Sequence, residues 1–232
     1  MVIESGTGCV GIGTTSPTAY LDLPASTTSA ASLRIRSGTA PTSPNSGDVW
    51  HDSTQQTVSY RAAGVNQTVN GVLFTQTDTV TVADTVTETA LTGTGVGTLT
   101  LPANFFVAGK TLKIRALGYH SSTASPNITL RFKLGSTTVL TTGTISSGNA
   151  TDEAWICDAF LTCRTTGATG TVIGQGYYDE LHGVGSTGGM VNTAATTIDT
   201  TASQAISLTV EWGTANAGNT ISCTNLVIEI LN

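Results

Sequence analysis

Lys110-Thr-Leu-Lys-Ile-Arg-Ala-Leu-Gly-Tyr-His120 and, one turn further on, Ile128-Thr-Leu-Arg-Phe-Lys-Leu134 decide the fold. In the first run Leu112, Ile114, Ala116 and Gly118 occupy one side, and Lys113, Arg115, Leu117 and Tyr119 the other. In the second, Ile128, Leu130, Phe132 and Leu134 alternate with Thr129, Arg131 and Lys133. A repeat of two places successive side chains on opposite faces of an extended strand, so each run predicts a strand with one buried face. Ser122-Thr-Ala-Ser-Pro-Asn127 between them has turn chemistry, and the two runs are expected to pair as antiparallel neighbours. Trp155–Arg164 repeats the pattern with Trp155, Cys157, Ala159, Leu161 and Cys163 inward; Ile206–Trp212 does so with Ile206, Leu208, Val210 and Trp212. Ile221–Leu231 reads as a closing strand, and Thr75–Val82, Thr85–Leu91, Thr98–Leu101, Val139–Ile145 and Thr169–Gln175 as shorter ones. No stretch carries an amphipathic helix; Pro102–Ala108 allows one turn at most. Many short strands joined by Gly-rich turns predict an all-β fold, an antiparallel jelly-roll-type β-sandwich.

Composition agrees. Of 232 residues 46 are Thr, 20 Ser and 26 Gly, while charged residues make up 10% against a usual ~25%. Thr suits a pleated surface and loses rotamer freedom in helices. A mean hydropathy of +0.13 with a net charge of −6 excludes a disordered chain. With a pI near 4.8 and nine Lys and Arg, the chain lacks the basic face that phosphate backbones require, so nucleic acid is not an expected partner. No apolar run approaches the ~20 residues of a membrane-spanning helix, and the N-terminus lacks the layout of a secretory signal. Cys9, Cys157, Cys163 and Cys223 form no CxxC pair, which points to a reducing site of folding; Cys157 and Cys163, on the face of Trp155 and Leu161, are expected to be buried thiols, with Cys223 able to pair with one of them across strands.

Motifs for chemistry are weak. Gly6-Thr-Gly8-Cys-Val-Gly11 has the letters of a dinucleotide loop but no helix follows, and Gly109-Lys110-Thr111 runs into a strand, so neither predicts a cofactor. His51, His120 and His182 show no triad or metal spacing. Asp179-Glu180 with His182 is the one acid–His cluster, in a Gly-rich stretch, 174–189, expected to be a loop. No catalytic residue, metal ligand or cofactor is therefore assigned, and Tyr177, Tyr178, Asp179 and His182 are read as a loop available to a receptor. If the first two strands pair, Lys113, Arg115, Arg131 and Lys133 share one outward face. Such a face repels itself unless an acidic partner covers it. Three Asn-x-Thr sequons, at Asn66, Asn127 and Asn149, are expected by chance in a chain so rich in Thr.

Residues 1–71 differ from 72–232. Four of the six prolines lie there, among short pieces such as Leu33-Arg-Ile-Arg36, Asp48-Val-Trp-His-Asp52 and Thr57-Val-Ser-Tyr-Arg61. Pieces of this length cannot close a core alone, so this segment is expected to bury its apolar faces against partner chains, and 72–232 to fold as the sandwich domain.

Two stretches of the segment resemble a known family. Cys9-Val-Gly-Ile-Gly-Thr-Thr-Ser-Pro17, followed by Tyr20-Leu-Asp-Leu23, resembles a VGIGT-x-SP segment of bacteriophage tail fibres and related virion appendages. Pro41-Thr-Ser-Pro44-Asn-Ser-Gly47-Asp48-Val-Trp50-His-Asp52, running on to Tyr60-Arg61, resembles their P-x-x-P-x-x-GD-x-W-x-D repeat. The resemblance implies a homotrimer held through Val10, Ile12, Tyr20, Leu21, Leu23, Trp50 and Tyr60. It further implies a non-enzymatic role on the virion surface as a capsid decoration (cement), head-fibre or tail-fibre protein. Expected partners are the major capsid or a tail or baseplate protein, and a host surface glycan or receptor, without membrane insertion. A lectin-like module and a virion-associated polysaccharide hydrolase are the other readings. The first needs exposed aromatic platforms; the second needs clustered carboxylates.

Overall fold

The alternating runs become strands in the computed structural model, which describes residues 1–3, 8–54, 57–69, 71–181 and 187–232. Seven short strands come first: β1 (Val2–Ile3), β2 (Val10–Gly11), β3 (Leu21–Asp22), β4 (Ser37–Gly38), β5 (Val49–Asp52), β6 (Thr57–Ala62) and β7 (Val65–Thr68). They make two small sheets, β1-β2-β3 and β4-β5-β6-β7. Then follow β8 (Gly71–Gln76), β9 (Val80–Ala83), β10 (Thr89–Ala90), β11 (Gly95–Gly97), β12 (Thr100–Leu101), β13 (Thr111–Ser122), β14 (Asn127–Leu134) and β15 (Thr137–Thr141). The chain closes with β16 (Ile145–Ser146), β17 (Ala150–Thr165), β18 (Gly170–Glu180), β19 (Thr187–Val191), β20 (Thr196–Ile198), β21 (Gln204–Trp212) and β22 (Thr220–Ile230). The described residues contain no helix, and Pro102–Ala108 forms turns.

From β8 onward two antiparallel sheets form. The larger runs β11-β8-β22-β13-β17-β18-β19, with β9 also on β22 and β20 on β18; the smaller runs β10-β21-β14-β15, with β12 on β21 and β16 on β14. Leu112, Ile114, Trp155, Cys157, Leu161 and Ile228 of the first join Ile128, Leu130, Phe132, Leu208, Val210 and Trp212 of the second in one buried cluster. That is the packing of a β-sandwich, and each fully buried large side chain contributes roughly 1.5–3 kcal/mol. No residue before Phe74 belongs to this core.

The expected pairing of the first two runs is overturned. β13 lies between β22 and β17, and β14 between β21 and β15, so the two belong to opposite sheets. Alternation fixes which face of a strand is buried but not which strand lies beside it. Here the two apolar faces oppose each other across the core. The connecting segment crosses between the sheets with Ala124 and Ser125 at φ 61° and 49°.

Two further readings need correction. The Gly-rich stretch after residue 174 is largely strand: Tyr177, Tyr178 and Asp179 belong to β18. β22 closes no edge; it is an interior strand between β8 and β13.

Candidate functional site

In the N-terminal segment the motif residues hold the backbone rather than a ligand. The amide of Val10 donates to the Tyr20 carbonyl at 2.8 Å and that of Ile12 to Asp22 at 2.9 Å, so the chain folds back on itself between them. A side chain at Gly11 would sit 2.8 Å from the Thr14 carbonyl oxygen, which explains glycine there. Asp22 accepts from the Thr18 amide and hydroxyl at 2.8 and 3.1 Å and closes the Pro17-Thr18 corner. In the second motif Asp48 accepts from the Asn45 amide at 2.8 Å, Asp52 accepts from the Thr54 amide at 2.7 Å, and the Tyr60 hydroxyl donates to Gln67 at 2.6 Å.

These bonds set the backbone but leave apolar surface uncovered. Ile12 is 44% exposed, Leu21 56% and Tyr20 81%, with Ile3 and Leu33 also open to solvent. Val10, Leu23 and Tyr60 are half-buried. Trp50 departs from the group, because its own chain already buries it to 8%.

The anticipated basic face does not exist as one surface. Lys113 and Arg115 stand on β13 of the larger sheet, Arg131 and Lys133 on β14 of the smaller. Each is matched by an acid of the same chain. Lys113 meets Glu229 at 3.8 Å, Arg115 meets Asp158, and Arg131 meets Glu211 at 2.8 Å and Glu88 at 3.6 Å. Lys133 meets Glu88 at 2.8 Å. The Lys133 hydrogen bond, with one from Thr209, holds the Glu88 carboxyl below its ordinary range.

The expected receptor loop dissolves in the same way. Tyr178 is fully buried and packs against Trp155 at 5.9 Å between ring centroids, because even-numbered positions of β18 face the core. Tyr177 faces outward and is 46% exposed, Asp179 is half-buried, and His182 lies outside the described residues. Asp179 and Glu180 are consecutive on a strand and so project to opposite faces, which removes them as a carboxylate pair for glycan cleavage.

Glu180 takes part instead in a buried polar cluster that sequence spacing did not reveal. His120 Nε2 lies 3.6 Å from Glu180 Oε1, and both side chains are within 1% of complete burial. The Tyr178 hydroxyl donates to Glu180 Oε1 at 3.3 Å and the Gly148 amide to Oε2 at 3.4 Å. Ser122 donates to the Gly148 carbonyl, and Ser147 to Ser122 at 3.3 Å. Serine, histidine and glutamate are the residue types of a hydrolase triad. Here, though, neither ring nitrogen of His120 bonds a serine hydroxyl among the described residues, and the cluster is sealed from solvent. The arrangement ties β13 and β18 to the loop before β17. Removing an acceptor on which other buried groups depend leaves them unsatisfied. Glu180→Ala is accordingly expected to lower stability by about 3–5 kcal/mol, and Glu180→Gln, which keeps shape and a carbonyl acceptor, by less. Urea unfolding measures both, and equal losses would contradict the acceptor role.

Comparison with family models, with curated proteins and with solved structures returns no match to this chain.

Proposed function

We propose that the chain is a non-enzymatic surface protein of a tailed-bacteriophage virion. It is a homotrimeric capsid decoration, head-fibre or tail-fibre protein in which 1–71 trimerises or anchors and 72–232 form a jelly-roll sandwich facing outward. The observation that carries this reading is the N-terminal segment itself. Its strands are fixed by backbone bonds and short turns, it contributes nothing to the core, and Ile12, Tyr20 and Leu21 stand open to water. Identical copies supply matching apolar surface, and burial at ~25 cal/mol per Å² supplies the driving force for assembly. The two sequence segments that resemble phage appendages coincide with this exposed surface and give the assembly its setting, with a capsid, tail or baseplate protein as the acceptor.

A double variant tests the segment's role. Tyr20→Ser with Leu21→Asp places polarity and charge in the proposed interface while leaving the sandwich core intact. It is expected to convert trimer to monomer in size exclusion with light scattering, with thermal unfolding of the sandwich retained. An unchanged mass would show that the interface lies elsewhere.

A further inference from the structure

On the outer face of the larger sheet, Phe160, Thr162, Arg164, Gln175, Val191 and Asn192 line a shallow groove of about 280 Å³. Phe160 is 47% exposed, on the outward phase of β17 that it shares with Ile156, opposite the buried Trp155, Cys157, Leu161 and Cys163. Beside it the Asn192 side chain is fixed in place: its Oδ1 accepts from the Gly174 amide at 2.9 Å and its Nδ2 donates to Thr196 at 3.2 Å. Gln175 stands directly across from Phe160 in the β17–β18 register and from Val191 in the β18–β19 register, with its amide free of any partner among the described residues.

Arg164 gives the groove its charge. The pairing of β17 with β18 shifts between Cys163 and Thr165, so Arg164 is the extra residue of a bulge, a device that re-aims a side chain. Among the described residues of 72–232, Lys113, Arg115, Arg131 and Lys133 each have an acidic partner, and Lys110 sits over the Phe105 ring at 4.7 Å. Arg164 has neither. An unmatched guanidinium on the same outward face as an exposed aromatic ring, four residues along β17, in a chain of net charge −6, suits an anion supplied from outside.

We infer that this groove binds a carboxylate-bearing saccharide: the pyranose face stacks on Phe160, Gln175 and Asn192 bond its hydroxyls, and Arg164 pairs with its carboxylate. The volume lies near the lower end of ligand sites, ~300 Å³, and suits one or two sugar rings. An acidic peptide fits less well. β18 is bonded on both edges, to β17 on one side and to β19 and β20 on the other, so a peptide strand could add only at the edge strand β19, two strands away from the Arg164 of β17. The inference concerns the outer sheet face and does not rest on trimer assembly.

Calorimetric titration of the intact protein tests it, with digalacturonate, the hyaluronate disaccharide and 3′-sialyllactose, each beside its methyl ester, and with acetate and hexaglutamate as controls. At least one acidic sugar is expected to bind about tenfold more tightly than its ester, the difference a charge-assisted bond supplies. Arg164→Gln should abolish that difference and leave ester binding unchanged, while Phe160→Ala should weaken acid and ester alike; both positions are exposed, so neither change disturbs the core. Saturable binding of none of the three sugars overturns the inference. So does equal binding of acid and ester, an Arg164→Gln variant indistinguishable from the parent, or binding of acetate or hexaglutamate as tight as that of the sugar.

Discussion

Alanine in place of Gly118 is expected to destabilise the protein by at least about 3 kcal/mol, since overpacking a filled interior typically costs 1–3 and here the obstacle is main chain. A β-carbon at this position would fall inside the van der Waals radius of the Ser222 carbonyl oxygen and 3.0 Å from Trp155 Nε1. Neither neighbour can step aside. Ser222 belongs to β22, whose register with β13 shifts between Leu117 and Gly118. Its carbonyl also accepts the Trp155 indole N–H at 3.2 Å. The alanine therefore forces β22 from β13 at the centre of the larger sheet and takes a buried indole bond with it. Urea unfolding of the variant measures the loss, and a midpoint within error of the parent would show that the bulge relaxes freely.

Raising the pH is expected to weaken the fold steeply above about pH 9. Burial pushes the Cys223 thiol from 9.0 up to about 11 and raises those of Cys163 and, further, Cys157. Burial, with the Glu180 charge behind it, also lifts the Tyr178 hydroxyl well above its ordinary value near 10. These groups stay protonated in the folded chain while the unfolded chain ionises. The native state then binds more protons, and stability falls with rising pH. The contribution is whole below the unfolded thiol value and is lost as pH climbs toward the folded one. At about 1.4 kcal/mol per unit, Cys223 alone accounts for roughly 2–3 kcal/mol by pH 11. Urea midpoints at pH 7.5 and 10.5, with a reductant present, should differ accordingly, and Cys223→Ala should flatten the slope. A profile level between pH 8 and 11 would contradict the buried-thiol account.

The alternation of β17 and β21 was legible in full. Trp155, Cys157, Ala159, Leu161 and Cys163, and likewise Ile206, Leu208, Val210 and Trp212, face the core as their spacing requires. Pairing was not legible, because alternation is a property of one strand and neighbours are chosen by the whole sheet. The same blindness gathered Lys113, Arg115, Arg131 and Lys133 onto one face that the topology divides. Glycines misled the reading of β18. Gly174 and Gly176 suggest a loop, yet they sit where Leu140 side-chain atoms and the Asp158 carbonyl come within 2.9 and 2.5 Å of any added side chain, so the strand needs them.

The His120–Glu180 contact joins residues sixty positions apart, beyond the reach of spacing rules. The groove was partly visible, since Phe160, with Ile156, stands on the outward phase of β17, opposite the buried Trp155, Cys157, Leu161 and Cys163. A large aromatic out of phase is the signal that would have found it.

The mass of the intact protein in solution tests the central claim most directly. Light scattering coupled to size exclusion at micromolar concentration should give three times 23.6 kDa, about 71 kDa. A particle of 23.6 kDa, stable and folded, would show that the opening segment needs no other copy of itself and would contradict the account.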